Sequence, residues 1–120
     1  MSLKEKILIA DDSEMNQMLL EEILSDKYEY VMAKDGTEAV DILEKNDDID
    51  LVMLDINMPK MDGFGVLEVM NLRHWISEVP VIIISSENDV DFIRRSYDLG
   101  ASDYISRPFD LTVGRHRVEN

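Results

Sequence analysis

The sequence predicts a doubly wound α/β domain built on a parallel sheet, and three observations carry that prediction. Apolar runs of strand length recur along the chain. They lack the polar alternation of a strand with one wet face, so both faces are expected to be covered. Amphipathic stretches with helical spacing separate them, and strand–helix alternation of this kind builds parallel sheets with right-handed crossovers.

The first run is Ile7–Ala10. A helix follows it, capped by Ser13, with Met15, Met18, Leu19 and Ile23 as its inward stripe at i, i+3, i+4 and i+8. Tyr28–Ala33 is a weaker second strand. After an Asp35-Gly36 turn, Ala39, Val40, Ile42 and Leu43 form the second helical stripe, and the acidic stretch Glu44–Asp50 reads as a solvated loop. Leu51–Leu54 is the third strand. Asp62-Gly63, a turn whose glycine permits a positive φ, opens a third helix with the stripe Val66, Leu67, Val69 and Met70. Val79–Ile84 is the fourth strand. The fourth helix starts at Asn88 or Asp89, carries Val90, Ile93 and Tyr97, and stops at Gly100. Tyr104–Ile105 is the fifth strand, and Asp110–Asn120 is the stub of a fifth helix. The methionines in these stripes read as adaptable core filler.

At 120 residues the chain is one domain, 1–120, long enough for a real core. Its 26 acids against 12 bases leave a formal charge of −14. That argues against nucleic acid or an anionic membrane as a direct partner of this chain, and suits divalent cations or basic protein surfaces. The absence of cysteine excludes disulfides and thiolate chemistry. No apolar run reaches the length of a membrane span and no secretion signal precedes Ile7, so a cytoplasmic location is the default expectation.

In such folds ligands bind at the carboxyl ends of the strands. The first run ends in Asp11-Asp12, the third in Asp55, the fourth in Ser85-Ser86 and the fifth in Arg107-Pro108. Two like charges about 4 Å apart at an effective dielectric near 20 repel by on the order of 4 kcal/mol. The acidic pair must therefore be solvated, partly protonated or holding a cation. Three carboxylates, two hydroxyls and one guanidinium on a single edge make an oxygen-rich pocket suited to Mg²⁺ and a phosphate.

The segments ILIADDSE, LVMLDINMPKMDGF, VPVIIISSE and GASDYISRPF, in this order and spacing, resemble the receiver domain of two-component response regulators over nearly the whole chain. The resemblance implies a five-stranded, flavodoxin-like sheet of order 2-1-3-4-5. It implies that Asp55 accepts a phosphoryl group from a sensor histidine kinase or phosphotransfer protein. It also implies that Asp12 and Asp55 ligate Mg²⁺ with the backbone carbonyl of Asn57, Asp11 acting mostly through water. Ser85 falls where a hydroxyl meets the phosphoryl group, Tyr104 where an aromatic residue switches, and Asn57 and Glu87 where hydrolysis is tuned. Arg107 replaces the usual lysine. The implied output is a changed surface on the fourth helix, fifth strand and fifth helix, leading to dimerisation or effector docking. The final helix looks short for the family, which suggests an effector domain beyond it, the alternative being a stand-alone receiver that docks on a target.

Two other functions compete with a phosphoacceptor switch. One is a phosphorylation-independent interaction module, favoured only by Arg107. The other is a Mg²⁺-dependent phosphohydrolase, disfavoured because Asn57 stands where such enzymes place a general acid. The chain is therefore expected to catalyse nothing beyond its own phosphorylation and dephosphorylation.

Overall fold

The computed structural model describes residues 4–86 and 89–106. Within them the chain alternates β1 (Lys6–Ala10), α1 (Glu14–Leu24), β2 (Glu29–Ala33), α2 (Gly36–Lys45), β3 (Leu51–Asp55), α3 (Gly63–Leu72), β4 (Val81–Ser85), α4 (Val90–Asp98) and β5 (Asp103–Ser106). Short 3-10 turns follow α1 at Ser25–Lys27 and α3 at Trp75–Ser77. The strands form one parallel sheet in the order β2-β1-β3-β4-β5, as the resemblance implied.

Alternation along each strand sends side chains to opposite faces. Ile7, Ile9, Met53, Ile82, Ile84 and Ile105 meet Leu20, Ile23 and Leu24 of α1 on one face. Leu8, Val52, Leu54, Val81, Ile83 and Tyr104 meet α2, α3 and the inner side of α4 on the other. Both faces are covered, which is why the strand sequences read as unbroken apolar runs.

Short polar side chains cap the helices, Asp35 and Asp62 being caps where the sequence suggested only turns. Ser13 Oγ accepts from the Asn16 amide, Asp35 Oδ1 from Glu38, and Asp62 Oδ1 from Gly65. Of the two candidates for the fourth helix, Asp89 is the cap, accepting from Asp91. That helix ends in a Schellman turn: Gly100 at φ 104° donates to the Tyr97 carbonyl, and Ala101 donates to that of Ser96.

Several expectations need correction. The inward face of α1 is Gln17, Leu20, Ile23 and Leu24, whereas Met15, Met18 and Leu19 are exposed by 78%, 69% and 44%. These two methionines are surface, not core filler. On α4, Val90 and Tyr97 point outward and Phe92, Ile93 and Ser96 point in. The fourth strand begins at Val81 because the Val79 amide is already spent on the Trp75 carbonyl and Pro80 has none to give. The stretch Glu44–Asp50 is only partly solvated: Ile49 is buried, Asp48 pairs with the Lys6 ammonium at 2.6 Å, and Asp50 accepts from the Lys6 amide. Gly63 has no positive φ; a Cβ there would stand 2.5 Å from the Asp55 carbonyl oxygen, so close approach is what requires glycine.

Candidate functional site

The parallel register aligns the carboxyl ends of the three central strands. Ala10 lies opposite Leu54, and Asp55 opposite Ile84. Asp11 and Asp12 therefore leave β1 beside the point where Asp55 closes β3. One carboxylate oxygen from each of Asp11, Asp12 and Asp55 lies within 4.8 Å of the others. Asp11 and Asp55 are buried, at 1% and 5% exposure, and Asp12 faces solvent. Folding has thus gathered three acids into a space where their repulsion is strong unless a cation joins them. Three carboxylate oxygens this close together are the hard, anionic donors that Mg²⁺ takes, so the residues present fit the ion.

The loop between β1 and α1 is tightly held. The Asp11 amide donates to the Ala33 carbonyl at 3.0 Å, and the Asp11 carboxylate accepts from the Ser13 amide at 2.9 Å. Gln17, buried in α1, donates from Nε2 to the Asp11 carbonyl at 2.7 Å and to that of Ala33 at 3.3 Å.

The loop after β3 is held from two sides. The Gly63 amide donates to the Ile56 carbonyl at 2.8 Å, bringing α3 back against the end of β3. Lys60, at φ 67°, sits at the centre of a tight γ-turn closed by the Met61 amide and the Pro59 carbonyl. That turn delivers the Met61 carbonyl to the Gly36 amide at 3.0 Å, where a Cβ on Gly36 would collide with it. Asp35, next to Gly36, accepts from the Thr37 hydroxyl at 2.6 Å, and the Lys60 ammonium lies 3.8 Å from it. These contacts, led by the Thr37 hydroxyl, hold the Asp35 carboxyl below its ordinary range.

Ser85 ends β4 and is fully buried, whereas Ser86 is exposed, so only the first hydroxyl belongs to the interior of the site. Ser85 falls on the same face of β4 as Ile83, whose register partner is Tyr104, itself 7% exposed. Asn57 is exposed on the β3–α3 loop. Glu87, Arg107, Pro108, Phe109 and the stretch from 110 to 120 lie outside the described residues.

Gln17, Gly36, Lys60 and the Asp35–Thr37 pair were not among the candidate site residues. Gln17 had one visible signal: it is polar and stands three and seven residues before Leu20 and Leu24, on their side of the helix. The others act through backbone contacts between loops distant in sequence, which no local pattern reveals.

The family model described as "Response regulator receiver domain" matches residues 7–119. The chain is 38% identical over 116 residues to Response regulator RR06 of Streptococcus pneumoniae, covering 94% of this chain and 51% of that protein. It is 37% identical over 118 residues to Sporulation initiation phosphotransferase F of Bacillus subtilis, covering 98% and 93%. A chain of the CheX-CheY-BeF3-Mg²⁺ complex from Borrelia burgdorferi superposes with a TM-score of 0.83 at 32% identity, covering 94% of this chain and 85% of that one. This chain spans about half the length of RR06 and 43% of another regulator it matches. Receiver domains bind Mg²⁺ at an acidic pocket and interact with histidine kinases or phosphotransfer proteins. No helix among the described residues is long and apolar enough to cross a membrane. With the five-stranded 2-1-3-4-5 sheet and its aspartate cluster, the chain belongs to the response-regulator receiver family, the phosphoacceptor module of two-component signalling.

Proposed function

We propose that Asp55 is the phosphoacceptor of this receiver and that Mg²⁺ assists the transfer. The observation that carries the reading is the convergence of Asp11, Asp12 and Asp55 within 4.8 Å at the carboxyl ends of the central strands. An Asp55 carboxylate oxygen attacks the phosphorus of a phosphohistidine on a kinase or phosphotransfer protein. The P–N bond breaks, the imidazole leaves and takes up a proton, and an acyl phosphate forms on Asp55. Water later cleaves it to inorganic phosphate and the free carboxylate. Asp12, Asp55 and the Asn57 carbonyl would hold Mg²⁺, Asp11 acting through water, and the ion would supply neutralisation of the gathered negative charge.

The remaining residues orient and report. The Ser85 hydroxyl meets a phosphoryl oxygen, and Arg107 supplies the cationic wall, able to engage two oxygens where lysine engages one. Asn57 and Glu87 control the approach of water. Movement of Ser85 toward Asp55 makes room for Tyr104 to change rotamer, and the surface of α4 and β5 changes with it. The shared face of Ser85, Ile83 and Tyr104 supports this coupling. So does the light hold on α4, of whose residues only Ser96 is fully buried. A changed α4–β5 surface would drive dimerisation or engage an effector. The chain acts on no substrate but its own aspartate.

Incubation with acetyl phosphate and Mg²⁺ followed by intact-mass measurement tests this. One added phosphoryl group, absent in Asp55→Asn, is the expected result. No adduct in the wild type would favour the phosphorylation-independent module, toward which the arginine at 107 leans; repeated turnover of diverse phosphate esters would favour a phosphohydrolase.

A further inference from the structure

We infer that Gln17 is a positioning residue for the acidic pocket, its buried carboxamide joining the carboxyl ends of β1 and β2 and setting the height at which Asp11 and Asp12 are presented. The inference rests on the Mg²⁺ reading of the pocket proposed above. Position 17 lies on the inward face of α1 with Leu20, Ile23 and Leu24, where an apolar side chain would bury more surface. A primary amide at 7% exposure is unfavourable there unless it is hydrogen-bonded. Its Nε2 donates to the carbonyls of Asp11, the first residue after β1, and Ala33, which ends β2. The Ala33 carbonyl already receives the Asp11 amide, so the contact is not needed merely to satisfy that oxygen. The shorter bond, 2.7 Å, goes to the carbonyl of Asp11 itself, whose side chain is the most buried acid of the cluster. Fixing the backbone that carries Asp11 and, next to it, the ligand Asp12 from outside the ligand set is the role that partners of metal ligands play elsewhere, and their loss weakens metal affinity by about 10- to 100-fold.

Gln17→Met keeps the length and bulk of the side chain and removes its donors. Mg²⁺ titration of the whole chain, followed by the NMR shifts of the amides from Asp11 to Ser13, should show a dissociation constant weakened about tenfold. A purely structural role would lower the metal-free melting temperature and leave the dissociation constant where it was. Gln17→Asn, one methylene short of both carbonyls, carries the same expectation should the methionine variant not fold. An unchanged dissociation constant in a folded variant overturns the assignment and leaves the pocket standing. A wild-type chain that does not bind Mg²⁺ overturns the pocket and this inference together.

Discussion

Replacing Gly63 with alanine should unsettle the fold and the phosphoacceptor at once. The new Cβ would stand 2.5 Å from the Asp55 carbonyl oxygen and 2.8 Å from the Ile56 Cα. Both are backbone atoms at the end of β3, which is held between β1 and β4 and cannot slide aside. Nor can α3 retreat freely, because the Gly63 amide is bonded to the Ile56 carbonyl at 2.8 Å. Overpacking of this kind costs about 1–3 kcal/mol. The better helix propensity of alanine offsets up to about 1 kcal/mol. A net loss of about 1–2 kcal/mol should lower the melting temperature by roughly 4–8 °C, at about 4 °C per kcal/mol for a domain of this size. Gly65→Ala is the internal control. Its Cβ would meet the Met61 Cγ at 2.7 Å, a side-chain atom that a change of the Met61 rotamer moves where backbone cannot move, so the variant should lose less than Gly63→Ala. Thermal unfolding followed by circular dichroism, with and without Mg²⁺, reads both, and Gly63→Ala should also show a smaller Mg²⁺-induced rise because Asp55 is displaced. The reasoning is refuted if Gly63→Ala melts with wild type, or if Gly65→Ala proves the more damaging change.

Mg²⁺ at a hundredfold excess over its dissociation constant should stabilise the wild type by about 2.7 kcal/mol, and Asp12→Ala should lose most of that increment in a melting titration. The Asp35 carboxyl is held below its ordinary range, so its contribution is present above the unfolded value of about 3.9 and lost as pH falls through the lower folded value. Thr37→Val removes the leading cause; its stability deficit in urea titrations should be present at neutral pH and shrink as the medium is acidified below about pH 4. Beryllofluoride with Mg²⁺ should shift the NMR resonances of α4 and β5 in the wild type, and the same addition to Asp55→Asn should leave them in place. Phosphorylation by a small donor should be slowed strongly in Arg107→Ala and little in Arg107→Lys; equal rates for alanine and wild type would leave the guanidinium without a role at the site.

The strands and the carboxyl-end chemistry were legible because both are local. An unbroken apolar run such as Ile82–Ile84 suits a strand covered on both faces, and the acids that end the first and third runs meet because β1 lies beside β3, an order that the family resemblance implied. Cap residues are equally local: Ser13 and Asp89 cap the helices they were expected to start, and Asp35 and Asp62, expected only as turn residues, cap α2 and α3. Which arc of a helix faces the sheet depends on packing between elements. Helix α1 carries two overlapping apolar arcs, and the more continuous one, Met15-Met18-Leu19, lies outside. The arc against the sheet buries Leu20, Ile23 and Leu24, and its polar member Gln17 lies where the carbonyls of Asp11 and Ala33 accept its amide protons. On α4 the Val90–Tyr97 line lost to Phe92 and Ser96, since Phe92 meets Phe64 of α3 at 5.7 Å between ring centres and the Ser96 hydroxyl turns back to the Phe92 carbonyl. Gly63 shows the same division: its identity suggested a turn, and its reason was the Asp55 backbone 2.5 Å from where a side chain would begin. Periodicity reports which residues avoid water; which neighbours they meet depends on how separate elements pack, and that information is spread across the whole chain.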